Sequence, residues 1–186
     1  MPRISSASEL KKLREGILSG RDPDRPSIAI CSGMGCHSLS NGRIISAFEE
    51  VIAKKGMKDK VDIRPTGCHG YCEKGPIVVI HPEEICYVEV APEDVPEIVS
   101  QTVLGKKVID RLIYSNPDSG DKASHQSEIP FYKNQMRHLI GNNSRIDPRS
   151  IDDYLAVGGY SALSKSLLEM NPEQVLEQPG CFLTPL

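Results

Sequence analysis

Hydrophobic positions change their spacing several times along the chain, and each change marks an element. Residues 27–31, Ser-Ile-Ala-Ile-Cys, form a nearly continuous apolar run of strand length, which predicts a buried strand. Over residues 41–55 the spacing becomes helical, with Ile44, Ile45, Phe48, Val51 and Ile52 in one stripe. Ser40 or Asn41 can cap this helix, Lys54 and Lys55 suit the negative end of its dipole, and Gly56 follows. Val61, Ile63 and Pro65 then alternate with Asp62 and Arg64, the period of a half-buried strand. Residues 77–81 and 85–90 predict two further strands, joined as a hairpin through Pro82-Glu83-Glu84. A helix is expected from about Pro92 to Leu104; Pro96 fits it only near the start, where N–H groups have no intrahelical partner.

At the front of the chain, Ser6 and Glu9 have capping-box spacing, and Leu10, Leu13 and Ile17 share a face. A helix over residues 5–19 is expected there, followed by Gly20 and a linker through Pro26. The order from residue 27 is β-α-β-β-β-α. The βαβ unit implies parallel pairing and the hairpin adds antiparallel strands, so the fold class is α/β, a small mixed sheet flanked by helices. Residues 115–128 hold no hydrophobic residue except Ala123 and read as linker. Beyond them, residues 131–140 suggest a strand or short helix, Asp147-Pro148 opens a helix carrying Ile151, Tyr154 and Leu155, and Asn171-Pro172-Glu173 opens another. The expected division is a helix and linker over 1–25, the α/β domain over 26–108, a linker over 109–128 and a mostly helical region over 129–186.

Composition narrows the function classes. With 22 Lys and Arg against 25 Asp and Glu, the net charge is −3, which argues against a nucleic-acid partner. Apolar runs such as Ile77–Ile80 are far shorter than the ~18 residues a membrane span needs, so no membrane insertion is expected. The polar start shows no secretory signal, which points to a cytoplasmic protein with reduced thiols.

In that setting the six cysteines are the candidate chemistry. Cys31-x4-Cys36 and Cys68-x3-Cys72 each lie at or just after a predicted strand end. If those strands are parallel neighbours, both loops emerge at one sheet edge and four thiolates can converge. Gly33, Gly35, Gly67, Gly70 and Gly75 crowd the loops, allowing positive φ, close backbone approach and N–H groups aimed at sulfur. A 2Fe–2S cluster takes four cysteines, two per iron, and tolerates this spacing. A structural zinc site accepts the same four donors. Redox dithiol chemistry normally uses C-x-x-C, which the chain lacks.

These two pairs, with Ile28–Cys36 and the stretch Arg64–Pro76, resemble the thioredoxin-like 2Fe–2S ferredoxins. Phe131-Tyr132-Lys133-Asn134-Gln135, Ile146-Asp147-Pro148 and Ile151–Tyr160 resemble the beginning of the NADH- and FMN-binding flavoprotein of complex I type NADH dehydrogenases and NAD-linked hydrogenases or formate dehydrogenases. The resemblance implies a thioredoxin-like fold and a 2Fe–2S cofactor. Cys31 and Cys36 would hold one iron, Cys68 and Cys72 the other. The function implied is one-electron transfer within an NADH-linked oxidoreductase, the partners being its other iron–sulfur or flavoprotein subunits. The alternative is a non-redox subunit-docking module with a four-cysteine zinc site.

The chain departs from the flavoprotein pattern after residue 177. A Gly-rich phosphate loop is missing, Gly158-Gly159 is too little to cradle a phosphate, and Gln178-Pro179-Gly180-Cys181 leads into a short tail. Residues 129–186 therefore read as a truncated start of that domain, expected to bind neither FMN nor NADH and to catalyse nothing alone. Cys181 is given no role. Cys86 alternates with Tyr87 and Glu89 and is expected as a small buried hydrophobe. His37 and His69, each directly after a ligand cysteine, are expected to tune the site or face solvent, and His81, His125 and His138 to be surface residues.

Overall fold

A computed structural model of the protein describes residues 4–38 and 41–177, the side chains of His37 and Ser38 excepted. Ser40 and Cys181 lie outside the described residues. In chain order the elements are α1 (Ala7–Ser19), β1 (Ser27–Cys31), α2 (Met34–Ser38), α3 (Asn41–Lys54), β2 (Asp62–Thr66), β3 (Val78–His81) and β4 (Ile85–Tyr87). There follow α4 (Val95–Glu97), β5 (Tyr114–Ser115), β6 (Lys122–Ala123), α5 (Pro130–Lys133), α6 (Ile151–Ala156), α7 (Ser161–Leu168) and α8 (Pro172–Glu177). The described residues form two compact units, one within 23–149 and one of 4–22 with 150–177.

The larger unit is built on a mixed four-stranded sheet, order β2-β1-β3-β4. β1 pairs parallel with β2 and antiparallel with β3, and β3 pairs antiparallel with β4. Strand alternation divides two cores. Ile28, Ile30, Val78, Ile80, Ile85 and Tyr87 face one side, where the α3 stripe of Ile44, Phe48 and Ile52 covers them together with Val95, Ile98 and Val99. Ala29, Cys31, Ile77, Val79, Cys86 and Val88 face the other. The period of two thus explains why β1 and β3 read as continuous apolar runs: each is buried on both faces.

The second face also shows what residues 109–128 do. The expected linker rests on the polar composition of 115–128, yet Ile109, Leu112, Ile113, Tyr114 and Ala123 are buried. Tyr114 and Ala123 join Ile129 and Tyr132 against Cys86 and Val79. The Ile109 N–H donates to the buried Tyr87 hydroxyl at 3.1 Å, and the Cys86 N–H donates to Ser124 O at 2.8 Å. Residues 114–123 form the short β5–β6 hairpin rather than a free connection. Within 115–128 Ala123 is a lone apolar anchor that leaves no period to read, which is why composition there gives a linker.

The expected helix from Pro92 is a 3₁₀ turn over Pro92–Asp94, then α4, then wider π-helical turns over Ile98–Leu104, ending at Gly105. Pro96 is the second residue of α4, the position its missing N–H allows. α2 was not expected; its residues read as part of a turn.

In the smaller unit, Ser6 caps α1 by accepting the Glu9 N–H at 3.2 Å. α1 packs against α6 and α7, with Arg14 Nε donating to Ala156 O at 3.3 Å and Arg21 paired with Asp153 at 2.6 Å. The α6 cap is Ser150, which accepts the Asp153 N–H at 3.2 Å, not the expected Asp147. Among the described residues, no helix is long and apolar enough to cross a membrane.

Candidate metal centre

The parallel register of β1 and β2 sets Cys31 opposite Thr66. Both strands therefore end at one edge, and the two cysteine loops leave it side by side. The Ser32 N–H donates to Thr66 O at 2.9 Å just beyond the pairing, and the Cys31 N–H donates to Ile77 O at 3.0 Å. Cys36 is carried back by α2, and its thiol donates to the Cys31 sulfur at 3.3 Å. Asn41, buried at the start of α3, donates to the Cys31 carbonyl at 3.4 Å. Cys72 begins the 3₁₀ turn Cys72–Lys74.

The glycines show how tightly the loops interlock. A Cβ on Gly33 would lie 2.6 Å from Cys68 Cβ and 2.9 Å from its sulfur. One on Gly35 would lie 3.0 Å from the Cys72 sulfur, and one on Gly75 would lie 2.9 Å from the Cys36 sulfur. Each loop thus leaves space for the other loop's cysteines. Of the five loop glycines only Gly70 uses a positive φ, +78°; for the others close approach is the requirement.

The sulfurs sit in a graded environment. Cys31 and Cys36 are 2% and 1% exposed, Cys68 is half-buried and Cys72 is exposed. The Cys36 thiol lowers the Cys31 pKa to about 6, helped by the N–H groups of Gly33 and His69 and by Cys68. Donating that bond, and burial, push Cys36 well above the thiol range, as one proton shared by two sulfurs requires. Cys72 is raised by the neighbouring Cys68 charge. The Gly70 N–H donates to the Cys68 sulfur at 3.3 Å.

This donor set fits a 2Fe–2S cluster: four thiols in two loops, N–H groups aimed at sulfur, and side-chain space removed at three glycines. A structural zinc would draw on the same four thiol donors.

Cys86 stands apart as expected, fully buried and free, its pKa pushed up to about 12 by burial. His69 does not face solvent. It is wholly buried, with Nε2 3.4 Å from Thr66 Oγ1 and Nδ1 3.1 Å from the Tyr132 hydroxyl. Burial, and then the nearby Arg137 charge, lower its pKa to about 4. The side chain of His37 lies outside the described residues. Sequence reasoning did not find Tyr132, Arg137 and Asn143 as neighbours of the second loop. They lie far along the chain from it, and nothing local signals the contact.

Residues 18–103 match the family model described as thioredoxin-like [2Fe-2S] ferredoxin. The chain is 36% identical over 77 residues to a 2Fe–2S ferredoxin of Clostridium pasteurianum, covering 41% of this chain and 76% of that one. It is 45% identical over 81 residues to a 2Fe–2S ferredoxin of Aquifex aeolicus, covering 43% and 73%. A solved thioredoxin-like [2Fe-2S] ferredoxin from Aquifex aeolicus is 28% identical, covering 52% of this chain and 96% of that one, with a TM-score of 0.45.

Proposed function

From the premise that the chain belongs to the thioredoxin-like [2Fe-2S] ferredoxin family, we propose that it carries single electrons through a 2Fe–2S cluster held by Cys31, Cys36, Cys68 and Cys72. The observation that carries the ligand assignment is the interlock of the two loops, in which Gly33, Gly35 and Gly75 give way to cysteines of the opposite loop. When bound, the cluster supplies a one-electron donor and acceptor. The protein contributes three things. Buried Cys31 and Cys36 close the inner side to water. The N–H groups of Gly33, His69 and Gly70 offset negative charge on the sulfurs, which favours the reduced state. Cys72 leaves the outer side accessible to a redox partner, and Met34, at the start of α2, is 92% exposed.

The electron's route is proposed to be NADH-linked. The support is the resemblance of Phe131–Gln135, Ile146–Pro148 and Ile151–Tyr160 to the beginning of the NADH/FMN flavoprotein. The partners are then iron–sulfur or flavoprotein subunits of such a complex. A potentiometric titration followed by visible absorbance tests the function. A reversible one-electron curve is expected, and a protein without a redox-active chromophore overturns the reading. The NADH link is tested separately: the cluster should be reduced by NADH only when an NADH-oxidising flavoprotein is added. Reduction by NADH alone, or no reduction with the flavoprotein present, overturns the proposed route.

A further inference from the structure

The second cysteine loop has no ladder of its own and is held by a segment far along the chain. The Tyr132 hydroxyl meets His69 Nδ1 at 3.1 Å, and Phe131 stacks on Tyr71 with ring centroids 4.1 Å apart and planes within 6°. Arg137 donates to the His69 carbonyl, and its guanidinium lies 5.1 Å from the Tyr132 ring centre and 5.7 Å from that of Phe131. Asn143 Nδ2 donates to the Cys68 carbonyl at 3.2 Å, and its side chain occupies the space a Gly67 Cβ would need. Ile140 reaches Gly70. Every residue from Gly67 to Tyr71 is thus touched by this one segment, which lies C-terminal to the family-matched residues 18–103. The other terminal nitrogen of Arg137, Nη1, is buried without a hydrogen-bond partner.

We infer that residues 131–143 are a clamp that positions the Cys68–Cys72 loop and sets the Arg137 charge beside the cluster, fixing both the cluster's lifetime and its readiness to accept an electron. The inference rests on the cluster reading above. Groups that orient metal ligands from behind typically change metal affinity by ~10–100-fold when removed. The clamp acts where such support is needed, because the fold buries Cys31 and Cys36 of the first loop but leaves Cys68 half-buried and Cys72 exposed in the second. A fixed cation also stabilises the reduced cluster, which carries one more negative charge. Tyr132, Arg137 and Asn143 are therefore positioning residues, acting through the loop rather than on iron.

The test uses the full chain, with the midpoint potential from an EPR-monitored titration and the cluster half-life under chelator. Arg137→Gln should shift the potential to more negative values and shorten the half-life about tenfold. Arg137→Lys keeps the charge and loses the fork, so it should recover the potential but not the half-life. Asn143→Ala should shorten the half-life with little change in potential. Leu139→Ala, at a residue 96% exposed in the same segment, should change neither. Wild-type potential and half-life in both Arg137→Gln and Asn143→Ala overturn the inference. If Arg137→Gln does not accumulate folded, an unchanged half-life in both Arg137→Lys and Asn143→Ala overturns it. Should the wild type hold no cluster, the functional reading fails, yet the clamp is still tested by amide exchange. Exchange over residues 67–71 should quicken in Asn143→Ala, and equal exchange overturns the clamp.

Discussion

The two cysteine loops supply equivalent thiols and are built in different ways. The first grows out of β1 and reaches α2 and α3, so its position follows from a strand buried along its whole length and from a strongly amphipathic helix. The second follows a half-buried strand, has little regular structure before its 3₁₀ turn, and takes its shape from side chains of residues 131–143. One loop is fixed from beneath by the core and the other from outside by tertiary contacts. The difference leaves one side of the site dry and the other accessible, as a group that exchanges electrons with a partner requires.

The strongest way to break the pairing is to force the loops apart. Gly33→Ala introduces a Cβ 2.6 Å from Cys68 Cβ. The expected outcome is a folded protein without visible-range cluster absorbance; circular dichroism and the visible spectrum together check it. Next, removing support from beneath should cost more than removing it from above. Phe48→Ala empties the core under β1 and should lower stability by about 3–5 kcal/mol. Phe131→Ala removes the stack on Tyr71 together with the ring's contacts to Tyr132 and Arg137 at the edge of the second core, where an aromatic pair contributes about 0.5–1.5 kcal/mol beyond its buried area. Urea unfolding of both variants gives the comparison, and equal losses would contradict it.

The smallest effect on the cluster is expected at Cys86. Cys86→Ser buries a hydroxyl among Val79, Tyr114 and Ile129 and should lower stability by about 1–3 kcal/mol while keeping the cluster. The folded thiol should resist alkylation at mildly alkaline pH. Its folded pKa of about 12 lies above its unfolded value, so the contribution from keeping the neutral thiol is complete below the unfolded pKa, ~8.5, and is lost as pH rises toward 12.

The same contrast explains what the sequence made legible. Ile28, Ile30, Ile44, Phe48, Val78 and Ile80 announce the sheet and α3 because their periods are local and strong. The cysteine pairs announce the site because their spacing within each loop is short and their strands are parallel neighbours. Periodicity could not reach the cover on the second face. Between Tyr114 and Ile129 only Ala123 is apolar, and the linker reading follows from counting the polar residues of 115–128. His69 misled for a related reason: its partners Tyr132 and Arg137 lie on a distant segment, so nothing beside it announces burial. The α6 cap moved from Asp147 to Ser150 because both residues are capable caps and only the packed chain selects one.

On the proposed function, Cys31, Cys36, Cys68 and Cys72 together hold one 2Fe–2S cluster. That assignment is tested most directly by iron and sulfide analysis with low-temperature EPR of dithionite-reduced, anaerobically purified protein, wild type beside the four single Cys→Ser variants and Cys86→Ser. The account predicts iron and sulfide in the ratio of a 2Fe–2S cluster and a reduced-state signal, kept in Cys86→Ser and lost or altered in each of the four. A colourless wild type holding one zinc, or loss of the signal in Cys86→Ser, would contradict it.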